Sequence, residues 1–283
     1  MADLAQIQRE ELWLSGMKRI VLVVTLQLIA FWAVWQWYGS RAIFSWDQPW
    51  GLLAFVAAFV VLFVSKKPLP KELPSLLVPS LLIALYAATY FVLPALAKAT
   101  IAFTAFALTL TSLRFGKLFH PGVLGLFYLS LPTIPSLQFV GGYPLRVLVA
   151  QVTAPILRLG GFAVVPEGTC LNWAGKLIWI DGPCSGIKML WVGMFLTLVL
   201  ICLYELPVVK AILLMPVAFV VIIGGNVFRA VSLFYLEAGV LDLPSWGHDY
   251  AGVIAFVLQA VAIIAIVSRL RKGTVCAAAV SST

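Results

Sequence analysis

The chain has 283 residues, of which 63% are apolar and only 11% charged, and its mean hydropathy is +1.06. Soluble domains hold about 45–50% apolar and about 25% charged residues, so a water-soluble fold is excluded and an all-α polytopic membrane protein is expected. The net charge of +8 does not point to nucleic acid, because the 19 Lys and Arg stand in short clusters between apolar runs and form no basic face.

In chain order, apolar runs fall at about 19–38, 50–65, 74–93, 99–113, 119–140, 184–204, 208–236 and 248–268. Each approaches the roughly 20 residues that a bilayer core requires, which predicts about eight transmembrane helices in one integral membrane domain over 1–283. Ahead of them, Met1 to Ser15 mixes Asp3, Glu10 and Glu11 with its bases, and the run that follows is too long for a cleavable leader. It reads as an anchor that stays.

Charge sets the expected orientation. With both termini cytoplasmic, the inner side collects Arg9, Lys18, Arg19, Lys66, Lys67, Lys71, Arg114, Lys117, Lys210, Arg269, Arg271 and Lys272, and the outer side only Arg41, Lys98, Arg146, Arg158 and Lys176. Trp46, Trp50, Trp173, Trp179 and Trp246 then lie near the outer interface. The longest gap between spans, about 141–183, becomes an extracytoplasmic loop. Tyr143 to Leu159 has apolar residues at helical spacing and predicts an amphipathic helix along the interface. Phe162 to Val165 and Leu177 to Ile180 are strand-like and separated by Pro166, Gly168, Asn172 and Gly175, which predicts a small β-hairpin before the sixth span.

Three polar features interrupt the apolar background, and this topology brings all three to the outer face. The first is Asp181-Gly182-Pro183-Cys184-Ser185-Gly186. Pro at the first helical position would place Cys184 in the first turn, under the positive end of the helix dipole, where a thiol ionises more readily. Gly186 removes a side chain beside the sulfur. The second is Asn226-Val227-Phe228-Arg229. Arg229 stands 21 residues beyond Val208, roughly 31 Å along the helix and near the outer boundary, and Asn226 lies one turn below it on the same face. The third is Gly247-His248-Asp249 at the start of the last span, a proton-exchanging side chain beside a carboxylate. Nucleophile, cationic hydrogen-bond donor and proton shuttle suffice for acyl transfer.

The order Pro-Cys-Ser-Gly-Ile at 183–187, Asn-Val-Phe-Arg at 226–229 and His-Asp-Tyr-Ala-Gly at 248–252 resembles the exosortase/archaeosortase family of membrane transpeptidases. The resemblance covers about Phe162 to Ala255, within a catalytic half of about 162–268. It implies a cysteine protease that cuts a C-terminal sorting signal on exported proteins: a short motif, often Pro-Glu-Pro, then a membrane helix and a basic tail. The matching positions for nucleophile, Arg and His are Cys184, Arg229 and His248. Pro183 departs from the small residue usual in the family.

Other classes remain open at this stage. Ser185-Gly186-Ile187-Lys188 has the S-x-x-K spacing of serine acyl-transferases, although Lys188 is also explained as a helper to the thiol or a contact for lipid phosphate. Arg229 and Lys188 inside spans would equally suit a transporter for an anionic solute. Cys170, Cys184, Cys202 and Cys276 lack C-x-x-C spacing, and His120 and His248 are the only histidines, so neither a metal nor a cofactor is expected. His120 reads as interfacial packing, and Glu167 and Asp181 as possible substrate contacts.

Overall fold

The computed structural model describes residues 18, 20–44, 49–65, 70, 75–180, 186–240 and 247–280. The chain divides into two compact units, Met1–Pro132 and Thr133–Thr283. Among the described residues four helices are long and apolar enough to cross a bilayer, or five if one bent pair counts as a span. Large apolar side chains are exposed along them; Val253, Val257 and Val261 of the last helix are each more than half exposed. In water such a face would aggregate, and in a bilayer it meets acyl chains. The protein is a multi-pass membrane protein.

The first unit holds α1 (Ile20–Ala30), α2 (Trp32–Phe44), α3 (Pro49–Val64), α4 (Leu77–Ala88), α5 (Ala95–Phe115) and α6 (Pro121–Ser130). The expected first span is therefore two helices, bent by 74°. Neither Pro nor Gly stands at the break; Phe31, fully buried there, meets the Tyr86 ring edge-on at 4.9 Å. α5 is the axis of this unit and is buried along most of its length. Around it Trp35, Tyr38, Phe55, Phe59, Phe103, Phe106 and Phe127 interlock mostly edge to face, the arrangement the ring quadrupole favours. Gln27 Nε2 donates to Thr109 Oγ1 at 2.7 Å, tying α1 to α5 with a buried polar contact. Arg114 caps the end of α3, donating from Nε to the Leu62 carbonyl at 2.9 Å. His120 does more than pack: it is the N-cap of α6, and its Nδ1 accepts from the Val123 N–H at 3.3 Å.

The second unit holds α7 (Ile134–Leu159), β1 (Val164–Glu167), β2 (Cys170–Trp173), β3 (Lys176–Trp179), α8 (Ile187–Leu203), α9 (Val208–Glu237) and α10 (Gly247–Val280). Two expectations change here. The run at 119–140 is not one span: α6 ends at Ser130, Pro132 follows, and a new helix starts at Ile134. That helix continues through Gly141, Gly142 and Pro144, so Tyr143 to Leu159 belongs to a 26-residue apolar helix able to cross the bilayer. Gly141, Gly142 and Pro144 do not break it, because in apolar surroundings the intrahelical hydrogen bonds on either side outweigh one missing donor.

The hairpin is a three-stranded antiparallel sheet in the order β1-β2-β3. Val165 pairs with Asn172 and Asn172 with Leu177, so the segments expected to pair directly both pair with a strand between them. Ala174 and Gly175, both at positive φ, make the two-residue turn from β2 to β3. Val164, Leu171 and Ile178 form one face of the sheet and pack on Val149, Ala154 and Leu157 of α7 and on Val227 and Phe234 of α9. Arg158 Nε donates to the Val164 carbonyl at 2.8 Å, and Lys176 Nζ donates to the Glu237 carbonyl. Both cations fasten the sheet to the ends of α7 and α9.

Candidate active site

α9 is an unbroken apolar helix of 30 residues, bounded by Pro207 and Ala238. Its two turns from Ile222 to Arg229 lie between α8 and α10, and glycines set how closely the three helices approach. Toward α8, a Cβ at Gly193 would stand 2.6 Å from Ile222 Cδ1, and a Cβ at Gly186 would stand 2.7 Å from Asn226 Nδ2. Toward α10, a Cβ at Gly225 would stand 2.7 Å from Gln259 Oε1, and one at Gly252 would stand 3.4 Å from Arg229 Nε. In both pairings residue numbers rise on one helix as they fall on the other, so α9 runs antiparallel to α8 and to α10.

The result is a convergence. Asn226, 2% exposed, covers the residue from which α8 starts, and Arg229, half-buried, covers the glycine one turn beyond His248. The start of α8 and the start of α10 therefore meet the same turn of α9. The spacing that the sequence offered is reproduced: Asn226 and Arg229 are one turn apart, each directed at a neighbouring helix start.

Where each candidate stands can be stated residue by residue. Pro183, Cys184 and Ser185, like Asp181, lie outside the described residues. His248 and Asp249 are in the first turn of α10, and their side chains lie outside what is described. α8 begins at Ile187, later than expected, because Gly186 is its N-cap in the left-handed conformation, φ +81° and ψ −3°. The expected roles of Pro183 at the helix start and of Ser185 beside Lys188 fall on residues outside the described ones. Lys188 is exposed at the second helical position. Glu167 accepts from Asn172 Nδ2 at 2.7 Å across the β1–β2 pair. Cys170 and Cys202 are free thiols, both buried.

Gly186 carries a second constraint besides its φ. The open space inferred beside it from the sequence is filled by the Asn226 amide, which reaches the backbone because no side chain intervenes. Gly186→Ala meets both obstacles at once: a left-handed conformation costly for an L-residue and an overlap with a buried side chain. Turnover in Gly186→Ala falls at least about tenfold, following displacement of the α8 start by a fraction of an ångström to 1 Å. A steady-state rate for the purified variant in detergent or nanodiscs checks this, and a wild-type rate would show that the contact has no bearing on activity.

A cleft of about 450 Å³ between α7 and α9 is lined by Val152, Ile156, Val220, Gly224, Phe228 and Val231. At about 100° per residue, Gly224 lies roughly 200° around α9 from Asn226, so this cleft opens on the opposite side from the convergent turn.

No curated protein and no solved structure matches the chain. The sequence matches the family model described as transmembrane exosortase over residues 13–265, which is most of its length and includes the convergent turn, the sheet and both helix starts, and the chain thereby belongs to the transmembrane exosortase family.

Proposed function

We propose that the protein is a membrane-embedded cysteine transpeptidase that cleaves a C-terminal sorting signal on exported proteins through a thioester at Cys184. Membership of the exosortase family supports a sorting transpeptidase role in general. The observation that carries the specific reading is the contact of one turn of α9 with both helix starts, Asn226 on Gly186 and Arg229 on Gly252. Gly186 is two residues from Cys184, and Gly252 is one turn from His248. These contacts support a reading in which nucleophile, cation and proton carrier, drawn from distant parts of the chain, act on one substrate bond.

In the proposed reaction the substrate helix lies alongside the spans of this protein and presents its scissile carbonyl at the outer interface of the cytoplasmic membrane. The Cys184 thiolate adds to the carbonyl carbon, and Arg229 stabilises the charge that develops on oxygen. As the C–N bond breaks, His248 gives a proton to the departing amine, leaving a thioester. His248 then takes a proton from the acceptor, whether water, an amine or a lipid head group, as the acceptor displaces the thiolate. Asp249 favours the protonated imidazole, and Ser185 and Lys188 border the nucleophile in sequence.

Trapping tests this reading. Wild-type and Cys184→Ala proteins are incubated with a substrate that carries a motif, an apolar helix and a basic tail, and adducts are sought by mass spectrometry. A hydroxylamine-sensitive adduct on Cys184, absent from the variant, is the expected result. An uncut substrate and no adduct with folded wild-type protein would overturn the reading.

A further inference from the structure

Gln259 is the only polar residue in the buried stripe of α10 that runs through Ala251, Ala255, Gln259, Ile263 and Val267. It is 2% exposed, within a membrane-spanning stretch, and among the described residues neither Oε1 nor Nε2 has a hydrogen-bond partner. An amide buried that way costs stability, so its contribution has to come from something other than hydrogen bonding. The contact it makes is steric. A Cβ on Gly225 would stand 2.7 Å from its Oε1 and 3.2 Å from its Cβ, so the side chain fills the notch that Gly225 leaves in α9.

The neighbours explain why a notch is useful here. Ala251 and Ala255, the buried neighbours of Gln259 on this stripe, are small, and the Ala255 carbonyl oxygen would lie 3.5 Å from a Cβ on Gly225. A long side chain seated on a glycine gives that stripe a fixed register. Gly225 is one turn from Arg229 on α9, and Gln259 is two turns from Gly252 on α10, so the notch and the contact between Arg229 and Gly252 lie along one interface. A helix transmits an axial displacement along its length, and His248 is 11 residues from Gln259, roughly 16 Å.

We infer that Gln259 is a positioning residue: seated in the Gly225 notch, it sets the height of α10 on α9 and with it the station of His248 relative to Arg229. The inference rests on the transpeptidase reading for its effect on turnover. It assigns Gln259 a role through volume and shape, so a residue of similar size without an amide serves as well.

A swap across the interface tests it. Gly225→Ala narrows the notch and Gln259→Ala removes what fills it; each lowers kcat about tenfold with KM for the tailed substrate unchanged, because the defect is one of alignment. The double variant recovers to within about threefold of wild type, and Gln259→Leu keeps most activity. The single variants Gly225→Ala and Gln259→Ala also melt below wild type and the double variant recovers, while Gln259→Leu melts at or above wild type because it removes an unpaired amide, which registers the contact without reference to activity. A double variant no better than the worse single variant overturns the inference, as does recovery of the melting temperature without recovery of kcat, or a Gln259→Leu as poor as Gln259→Ala. A Cys184→Ala control that still turns over substrate overturns the transpeptidase reading instead, and the melting temperatures then report separately on whether the notch fixes the register.

Discussion

Cys184→Ala lowers turnover by at least about 10⁴-fold and leaves the melting temperature unchanged, because removing an acyl-transfer nucleophile abolishes the covalent route. The folded state keeps the contacts that hold α8, since Gly186 still meets Asn226 and Gly193 still meets Ile222. Substrate binding survives as well, because the docking of an apolar helix does not depend on one sulfur. The variant therefore accumulates an uncut complex, visible by co-purification with the tailed substrate. Cys184→Ser separates nucleophile from volume: a hydroxyl of similar size lacks the acidity of a thiol and turns over slowly at neutral pH. Ser185→Ala retains activity on this reading and loses it if Ser185 and Lys188 are the reacting pair. Full activity in Cys184→Ala would end the cysteine mechanism outright.

How legible the fold and site were depends on which contacts a residue owes to its own helix. α9 was read nearly residue for residue, 208–236 against Val208–Glu237, because an apolar run bounded by Pro207 and the turn after Glu237 carries its limits in the sequence. The pairing of Asn226 with Arg229 on one face was legible for the same reason, being a matter of helical period. β2 was not: four residues with Asn172 at their centre look like a turn, and what makes them a strand is hydrogen bonding on both sides to Val165 and Leu177. α7 was divided at Gly141 between an apolar run and an interfacial helix, whereas the helix runs on through Gly141, Gly142 and Pro144 because an apolar setting penalises a break in the backbone ladder.

Gly186 shows the limit most clearly. Its place two residues from Cys184 was evident, but the group that fills its space comes from a helix 40 residues later in the chain, and nothing local specifies it. Gly225 and Gly252 are of the same kind: each is informative only with its partner on α10 or α9 known. The motifs set the order of the candidate residues, and the helix packing adds what Gly186, Asn226 and Arg229 face.

Arg229→Ala lowers kcat by about 10²- to 10³-fold, the loss usual for one oxyanion-stabilising donor, with little change in KM. Arg229 is a half-buried cation in an apolar helix, where charge is costly, and it faces Gly252, where a Cβ would stand 3.4 Å from its Nε. The expected signature is a loss of kcat in a variant that still gives a cooperative melting transition. A residue that merely marked the membrane boundary would behave otherwise: its loss would leave turnover intact, and Arg229→Gln would match wild type. Arg229→Lys distinguishes charge from geometry. A point charge on a flexible stem lacks the planar fork of donors, so turnover recovers only in part and stays at least about tenfold below wild type. The thioester adduct at Cys184 gives the second readout: it forms more slowly in Arg229→Ala under single-turnover conditions, in proportion to the loss in kcat. Equal rates of adduct formation in wild type and Arg229→Ala would remove Arg229 from the acylation step.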